Sequence, residues 1–277
     1  MNRSHLNRSR MWAVAGNDLR QLGHSPDFWA PMLVLAALFF VIIPTVLLLT
    51  ITKIGSVGTV RNVSAALDLL PQQAQEAIRG DNPADRTGYA LAVYLFAPMA
   101  VIVPMTISTA VGANALVGEK EKGTGEFLAH SPASEREIYL GKLIASLLPG
   151  YLTTLVGFGL YSLAVNLIVG PNVGGWFFPT PAWWVLMLWV VPPFLALTLS
   201  VVLRLSARVK SAAAAQQASG LVTLPLIMLS YAQSTGGLLG AGNAGFWVGL
   251  AAWTAAVLGL MRGAHAITRP RLLGVDA

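Results

Sequence analysis

Six apolar stretches run through the chain, at about residues 29–51, 88–117, 137–169, 181–203, 211–231 and 244–262, with polar segments between them. The first holds 23 residues without a charge. That is about 34 Å of helix at 1.5 Å per residue, enough to cross a hydrocarbon core of about 30 Å. Apolar runs of this length predict membrane helices. The pattern predicts an all-α polytopic membrane protein, with residues 1–277 forming one transmembrane domain of six helices. Prolines stand inside most of the spans (Pro44, Pro98, Pro104, Pro149, Pro192, Pro193 and Pro225). Membrane helices tolerate proline where neighbours re-satisfy the freed carbonyl, so bent helices are expected.

The polar segments have patterns of their own. Residues 1–28 are basic and lack the apolar core of a signal peptide. Within them Trp12, Ala15, Leu19 and Leu22 share one helical face, while Arg10, Asn17, Asp18 and Gln21 lie largely elsewhere. This predicts an amphipathic helix lying flat at the membrane interface, with Trp12 at headgroup depth. Residues 52–87 form the largest insert, with a short helix expected after Pro71 and a stop at Gly80. Between the third and fourth spans, Trp176, Phe177, Phe178, Trp183 and Trp184 read as an aromatic belt. Residues 236–245 are uncharged and glycine-rich, and suit either a re-entrant element or a plain loop.

Residues 117–142 are the charged island, with nine charges in 26 positions. Each would cost several kcal/mol in hydrocarbon, roughly 2.5–3.5 even on insertion scales, so residues 118–136 are expected as a loop in water. Its local chemistry is helix, break, helix. Gly123 supplies a left-handed C′ position and Thr124 caps a short helix carrying Glu126, Phe127, Leu128 and His130. Pro132 breaks that helix, and Ser134 with Glu137 forms a capping box for the next long one. Phe127 and Leu128 are expected to be exposed, with nothing in the loop large enough to bury them.

The order Glu119-x-Glu121-x-Gly123-Thr124-x-Glu126-x-Leu128, then Pro132-x-Ser134-x-x-Glu137-x-x-x-Gly141-Lys142, resembles the loop between membrane helices 2 and 3 of type-2 ABC transporter permeases. Gly125 departs from the family, where a bulkier residue is usual. The resemblance implies that this loop is a cytoplasmic coupling helix docking on a separate ATPase subunit through Glu119, Glu121, Gly123, Thr124, Glu126, Phe127, Leu128, Pro132, Ser134 and Glu137. It implies that the N-terminal helix, with Trp12, Leu19 and Leu22, is the interfacial elbow helix of that family. It also implies a half-sized subunit working with a second copy of itself or a related permease and with two cytoplasmic ABC ATPase subunits. ATP and Mg would bind on those partners and no cofactor on this chain. The expected location is the inner (cytoplasmic) membrane. The expected activity is export of a hydrophobic or amphipathic substrate (lipid, drug or peptide), with a permease-like module for metalloenzyme maturation or signalling as the alternative.

Composition agrees. Only 11% of residues are charged, against about 25% in soluble domains. There are no cysteines and only four histidines, none spaced to ligate a metal together. The net charge of +6 reads as topology, because no nucleic-acid-binding signature accompanies it. With the N-terminus inside, the cytoplasmic pieces hold fourteen Lys and Arg residues. The other side holds four, namely Lys53, Arg61, Arg79 and Arg86. This positive-inside bias predicts cytoplasmic N- and C-termini and a cytoplasmic 118–136 loop. The charge-free spans argue against a proton-coupled carrier. No phosphate loop is present, since Gly118 and Gly123 have the spacing but lack the Lys, so energy for transport has to arrive from another subunit. No catalytic residue or metal site is expected.

Cysteine labelling in sealed vesicles checks the orientation. Residues 60–85 and 172–180 should react only from outside, and 120–140 and 206–210 only from the cytoplasmic side. Exclusive external labelling at position 128 would overturn the topology.

Overall fold

The computed structural model describes residues 6–54, 70, 72–121, 123, 126, 128, 130–207, 209, 214, 217 and 244–263. The predicted fifth span at 211–231 apart from residues 214 and 217, the glycine-rich 236–243 segment, Thr124, Phe127, both chain ends and most of the 52–71 insert lie outside the described residues. Everything regular among the described residues is helical. The N-terminal helix α1 is Arg8–His24. Five further helices are long and apolar enough to cross a membrane: α2 Pro26–Lys53, α3 Pro83–Glu119, α4 Glu135–Ile168, α5 Pro181–Ser206 and α6 Ala244–Gly263. These match five of the six predicted spans, and α3 is longer than its apolar run because Asn82 caps an extra turn beginning at Pro83. In the insert, a helical turn at Gln72–Glu76 is followed by Gly80 in a positive-φ conformation.

Helix α4 is the central element. It packs on α3, α1, α2 and α5, while α5 also packs on α3 and carries α6 on its other side. Apolar side chains left outward on α2, α4 and α6, such as Val34, Val46, Val156, Leu167, Trp247 and Met261, are what a hydrocarbon surround requires. The polar residues turn inward. Ser206 on α5 donates to the Ala113 carbonyl and accepts from the Val117 N–H, which fastens α5 to α3.

The prolines act through a specific device. A π-helical turn precedes Pro44 (Leu38–Ile42), Pro98 (Leu91–Leu95) and the Pro192–Pro193 pair (Leu186–Val190). In each, the N–H after the turn bonds five residues back: Ile43 to Leu38, Phe96 to Leu91, Val191 to Leu186. The wider turn makes room for the ring that would collide with the carbonyl four residues earlier. At Pro98 the helix opens further into a turn over 96–98, and two freed carbonyls take side-chain donors. Tyr161 donates to the Ala92 carbonyl at 2.6 Å and the Trp183 indole donates to that of Val93 at 2.9 Å. The same two rings anchor an aromatic cluster: Trp183 stacks on Phe158 at 5.6 Å, and Phe178 meets Tyr161 edge-on at 5.2 Å.

This corrects the aromatic-belt expectation. Trp176 and Trp184 are exposed, but Trp183 and Phe178 are core residues. Asn166 holds that connection in place. Its Oδ1 accepts from the Phe177 and Phe178 N–H groups and its Nδ2 donates to the Phe178 and Ser162 carbonyls. Asp85, buried at the start of α3, accepts from the side chains of Asn82 and Asn172 and ties α3 to the same connection.

Tyr161→Phe keeps the ring and strands the Ala92 carbonyl in an apolar interior. A loss of about 1–3 kcal/mol is expected, read as a lowered unfolding midpoint in detergent, with Ser162→Ala on the same helix much closer to wild type.

Candidate functional site

The predicted capping box is present at the start of α4. The Ser134 hydroxyl accepts from the Glu137 N–H at 3.3 Å, and the Ser134 N–H donates to Glu137 Oε2 at 2.8 Å. The other oxygen of Glu137 reaches across the fold and accepts from the Asn7 N–H at 2.7 Å. Asn7 is the N-cap of α1, where its side chain accepts from the Ser9 N–H. One carboxylate thus caps α4 and secures the start of α1. Arg10 adds a bond to the Pro132 carbonyl at 2.8 Å. Pro132, Ser134 and Glu137 are therefore engaged within the chain, and the buried Glu137 side chain is not a free docking group.

Below this junction α1 lies against α4 at Gly141. A Cβ there would stand 2.8 Å from the Val14 side chain and 2.9 Å from the Met11 carbonyl, so only glycine lets the helices approach this closely. The approach brings three charges together. Lys142 Nζ lies 3.0 Å from Asp18 Oδ2 on α1 and 2.8 Å from Glu119 Oε1 at the end of α3. The Lys142 side chain is 2% exposed, Asp18 13% and Glu119 17%. A carboxylate in the last turn of a helix faces the negative end of its dipole, and the ammonium offsets that at Glu119. Burial raises the Asp18 carboxyl above its ordinary value. Lys142 pulls it down, Glu119 pushes it up, and desolvation prevails.

This triad was not read from the sequence. Lys142 counted as a loop charge and Asp18 as part of a polar outer face, yet both are interior. One signal was available: Lys142 is the sole charge between Ile138 and Ile168, inside an otherwise apolar helix. The α1 face reading holds in part. Trp12 is exposed, Leu19 and Leu22 are half-buried and Ala15 is buried, but the contact with α4 runs along Met11, Val14 and Asp18 on one flank of that face.

The loop between α3 and α4 follows the predicted helix–break–helix order where it is described. Gly123 has φ +70°, the left-handed conformation expected of it. The His130 N–H bonds the Glu126 carbonyl at 3.0 Å, closing a helical turn, and Ser131 then bonds back to the Leu128 carbonyl. Glu126 is exposed. Leu128 is not: it is half-buried against a cluster containing Tyr139, Leu203 and Val14. The chain itself covers the leucine expected to need a partner. The Glu121 side chain, Thr124 and Phe127 lie outside the described residues.

Two recesses adjoin the triad. A groove of about 450 Å³ runs between α1 and the loop, past Arg10, Asn17, Leu128 and Pro132. A larger cleft of about 570 Å³ opens between α1, α3 and α4 and reaches Asp18, Glu119 and Lys142. No group of three or more His, Cys, Asp or Glu residues suited to a metal occurs among the described residues.

The family model described as "ABC-2 family transporter protein" matches residues 12–245. No curated protein matches the chain.

Lys142→Met removes the cation and leaves two inward carboxylates. A loss of about 3–5 kcal/mol is expected, with α1 released from α4, read as faster hydrogen exchange over residues 8–24. Asp18→Asn should be far milder. A folded carboxyl raised above its unfolded value favours the fold at low pH, and that contribution is lost as the pH rises through the raised value. The Asn variant should therefore lack this decline in a stability–pH profile. Equal losses in the two variants would contradict the assignment.

Proposed function

The chain belongs to the ABC-2 family of transporter proteins, and on that premise we propose that it is the membrane permease subunit of an ATP-driven exporter, driven through the loop between α3 and α4 by a separate ATPase subunit. The observation that carries the reading is the anchoring of this loop. Its two ends, Glu119 and the Pro132–Glu137 segment, are fastened by ion pair and hydrogen bonds to α1 and to the first turns of α4. A push on the helical turn at Glu126–His130 is then delivered to α3 and α4 together, two helices that pack against each other. A floppy loop would absorb the same push. Rigid-body movement of packed helices around an interface is an ordinary route to alternating access.

In this reading the N-terminal helix α1 is the interfacial elbow, with Trp12 exposed toward the headgroups. The 118–136 loop and both termini are cytoplasmic, in the inner membrane. The positive-inside count and the absence of a phosphate loop support the arrangement. Two copies of the chain, or one with a related permease, pair with two ATPase subunits that bind ATP and Mg. The cargo is hydrophobic or amphipathic, in keeping with spans that carry few charges.

The docking residues divide by their packing. Leu128 leans into its own chain, so Leu128→Ala acts on the fold as well as on docking. Glu126 is exposed and Phe127 follows it in sequence, and these two are assigned to the ATPase contact. A buried Phe side chain contributes roughly 1.5–3 kcal/mol, so Phe127→Ala should weaken ATPase binding about ten- to a hundredfold. Glu126→Ala should alter mainly the association rate and its salt dependence. The measurement is ATPase pull-down together with flux in proteoliposomes. Wild-type binding and flux in Phe127→Ala would remove the coupling role from this turn. ATP turnover without flux of any amphipathic cargo in the wild type would favour a maturation or signalling module.

A further inference from the structure

We propose that the cleft between α1, α3 and α4 is a binding site for a protonated amphipathic amine, with the ammonium beside Asp18 and the apolar body along Leu22, Phe28 and Val111. The site concerns this chain alone and does not depend on the ATPase pairing.

Its polar side selects the charge. The charged residues triad at the cleft comprises two carboxylates and one ammonium. Both oxygens of Asp18 lie within 3.1 Å of the same Lys142 Nζ, which is shared with Glu119. Asp18 therefore receives only part of one cation while being largely withdrawn from water, and a buried carboxylate held this way attracts a further positive charge.

Beside Gln21, His24 and Ser25, two neighbouring side chains keep an acceptor at the cleft. The Asn114 amide donates to its own helix at Ala110, 3.1 Å away, which leaves Oδ1 to accept. The Ser146 hydroxyl gives its proton to the Lys142 carbonyl at 2.8 Å, which leaves its oxygen to accept. An ammonium, with three donors and no acceptor, matches such a lining. A carboxylate or phosphate meets the carboxylates of Asp18 and Glu119 there, with Lys142 already paired to both. A metal ion finds too few ligands, since Lys142 already stands between the two carboxylates.

The apolar part of the lining selects the body. Leu22, Phe28, Val111 and Ala145 supply it, and the volume of about 570 Å³ falls within the usual range of small-molecule sites, about 300–1,000 Å³. The junction of α1 with the bundle places charged and apolar walls side by side, as a headgroup and its chain do. An amine-bearing lipid headgroup and a free alkylammonium share this chemistry.

The test uses the purified chain in phosphatidylcholine nanodiscs near neutral pH, with dodecylamine as probe and empty discs subtracted. Saturable binding is expected, weakened about tenfold or more by Asp18→Asn and by Asn114→Leu, with no competition from dodecanol or dodecyl sulfate. Asn114 lies outside the ion triad, so a monodisperse Asn114→Leu variant keeps the test readable if Asp18→Asn folds poorly. Repeating the titration in phosphatidylethanolamine discs separates the sources. Weaker dodecylamine binding there by the wild type, with no difference between the two lipids left in the Asp18→Asn variant, assigns the cleft to the lipid amine. Unchanged binding assigns it to free amphipathic amines. Absence of saturable binding, wild-type affinity in both variants, or equal competition by dodecanol would overturn the proposal.

Discussion

A single buried ammonium sets the constraint that the α1 end of this bundle obeys. Lys142 sits on a helix that packs against α1, α2, α3 and α5, and is almost wholly withdrawn from water. A cation there is tolerable only with anions at hydrogen-bonding distance. Asp18 and Glu119 supply them from two other helices, at 3.0 and 2.8 Å. The requirement runs both ways, because a carboxylate at the C-terminal end of α3 and another facing the interior from α1 each need the lysine. The residues around the triad follow from it. Gly141 is small so that α1 can come close enough for Asp18 to reach. Glu137 and Arg10 then fix the first turn of α1 so that it stays there.

The far half of the bundle meets a different demand with neutral groups. Prolines remove backbone donors in a region where hydrocarbon offers no replacement. The π-helical turns before Pro44, Pro98 and Pro192 redistribute the remaining bonds. Tyr161 and Trp183 close the account at Ala92 and Val93, each with an apolar ring and one donor. The two halves of α3 therefore have unlike mechanical character. Its second half, from Met99 onward, is a continuous helix, whereas the segment over Leu91–Pro98 is interrupted and held by side chains from α4 and α5.

The same geometry separates two roles that the loop motif had combined. Ser134, Glu137 and Pro132 are anchors, and Leu128 is partly one. Glu126 remains on the surface. The motif-bearing segment is thus mostly anchored to its own chain, with Glu126 left outward. The cleft beside it lies between α1, α3 and α4, with Asp18 and Leu22 one turn apart on α1 and both lining it.

Much of this was legible in the chain because it is local. Helix length follows from the length of an apolar run, and a cap from residues three apart. Five spans, the Ser134–Glu137 capping box and the left-handed Gly123 accordingly stand where hydropathy and spacing place them. What sequence alone left open depends on partners far along the chain. Lys142 and Asp18 are 124 residues apart, and nothing in either neighbourhood states that one will neutralise the other. Asp18 was placed with water because a helical wheel shows only that a residue lies off the apolar face, not what comes to meet it. Trp183 was placed at an interface because tryptophan usually is, until a broken helix presented a carbonyl for its indole. In each case the cost of burying a polar group is a property of the residue, while the partner that makes burial possible is supplied only by the packing of helices in three dimensions.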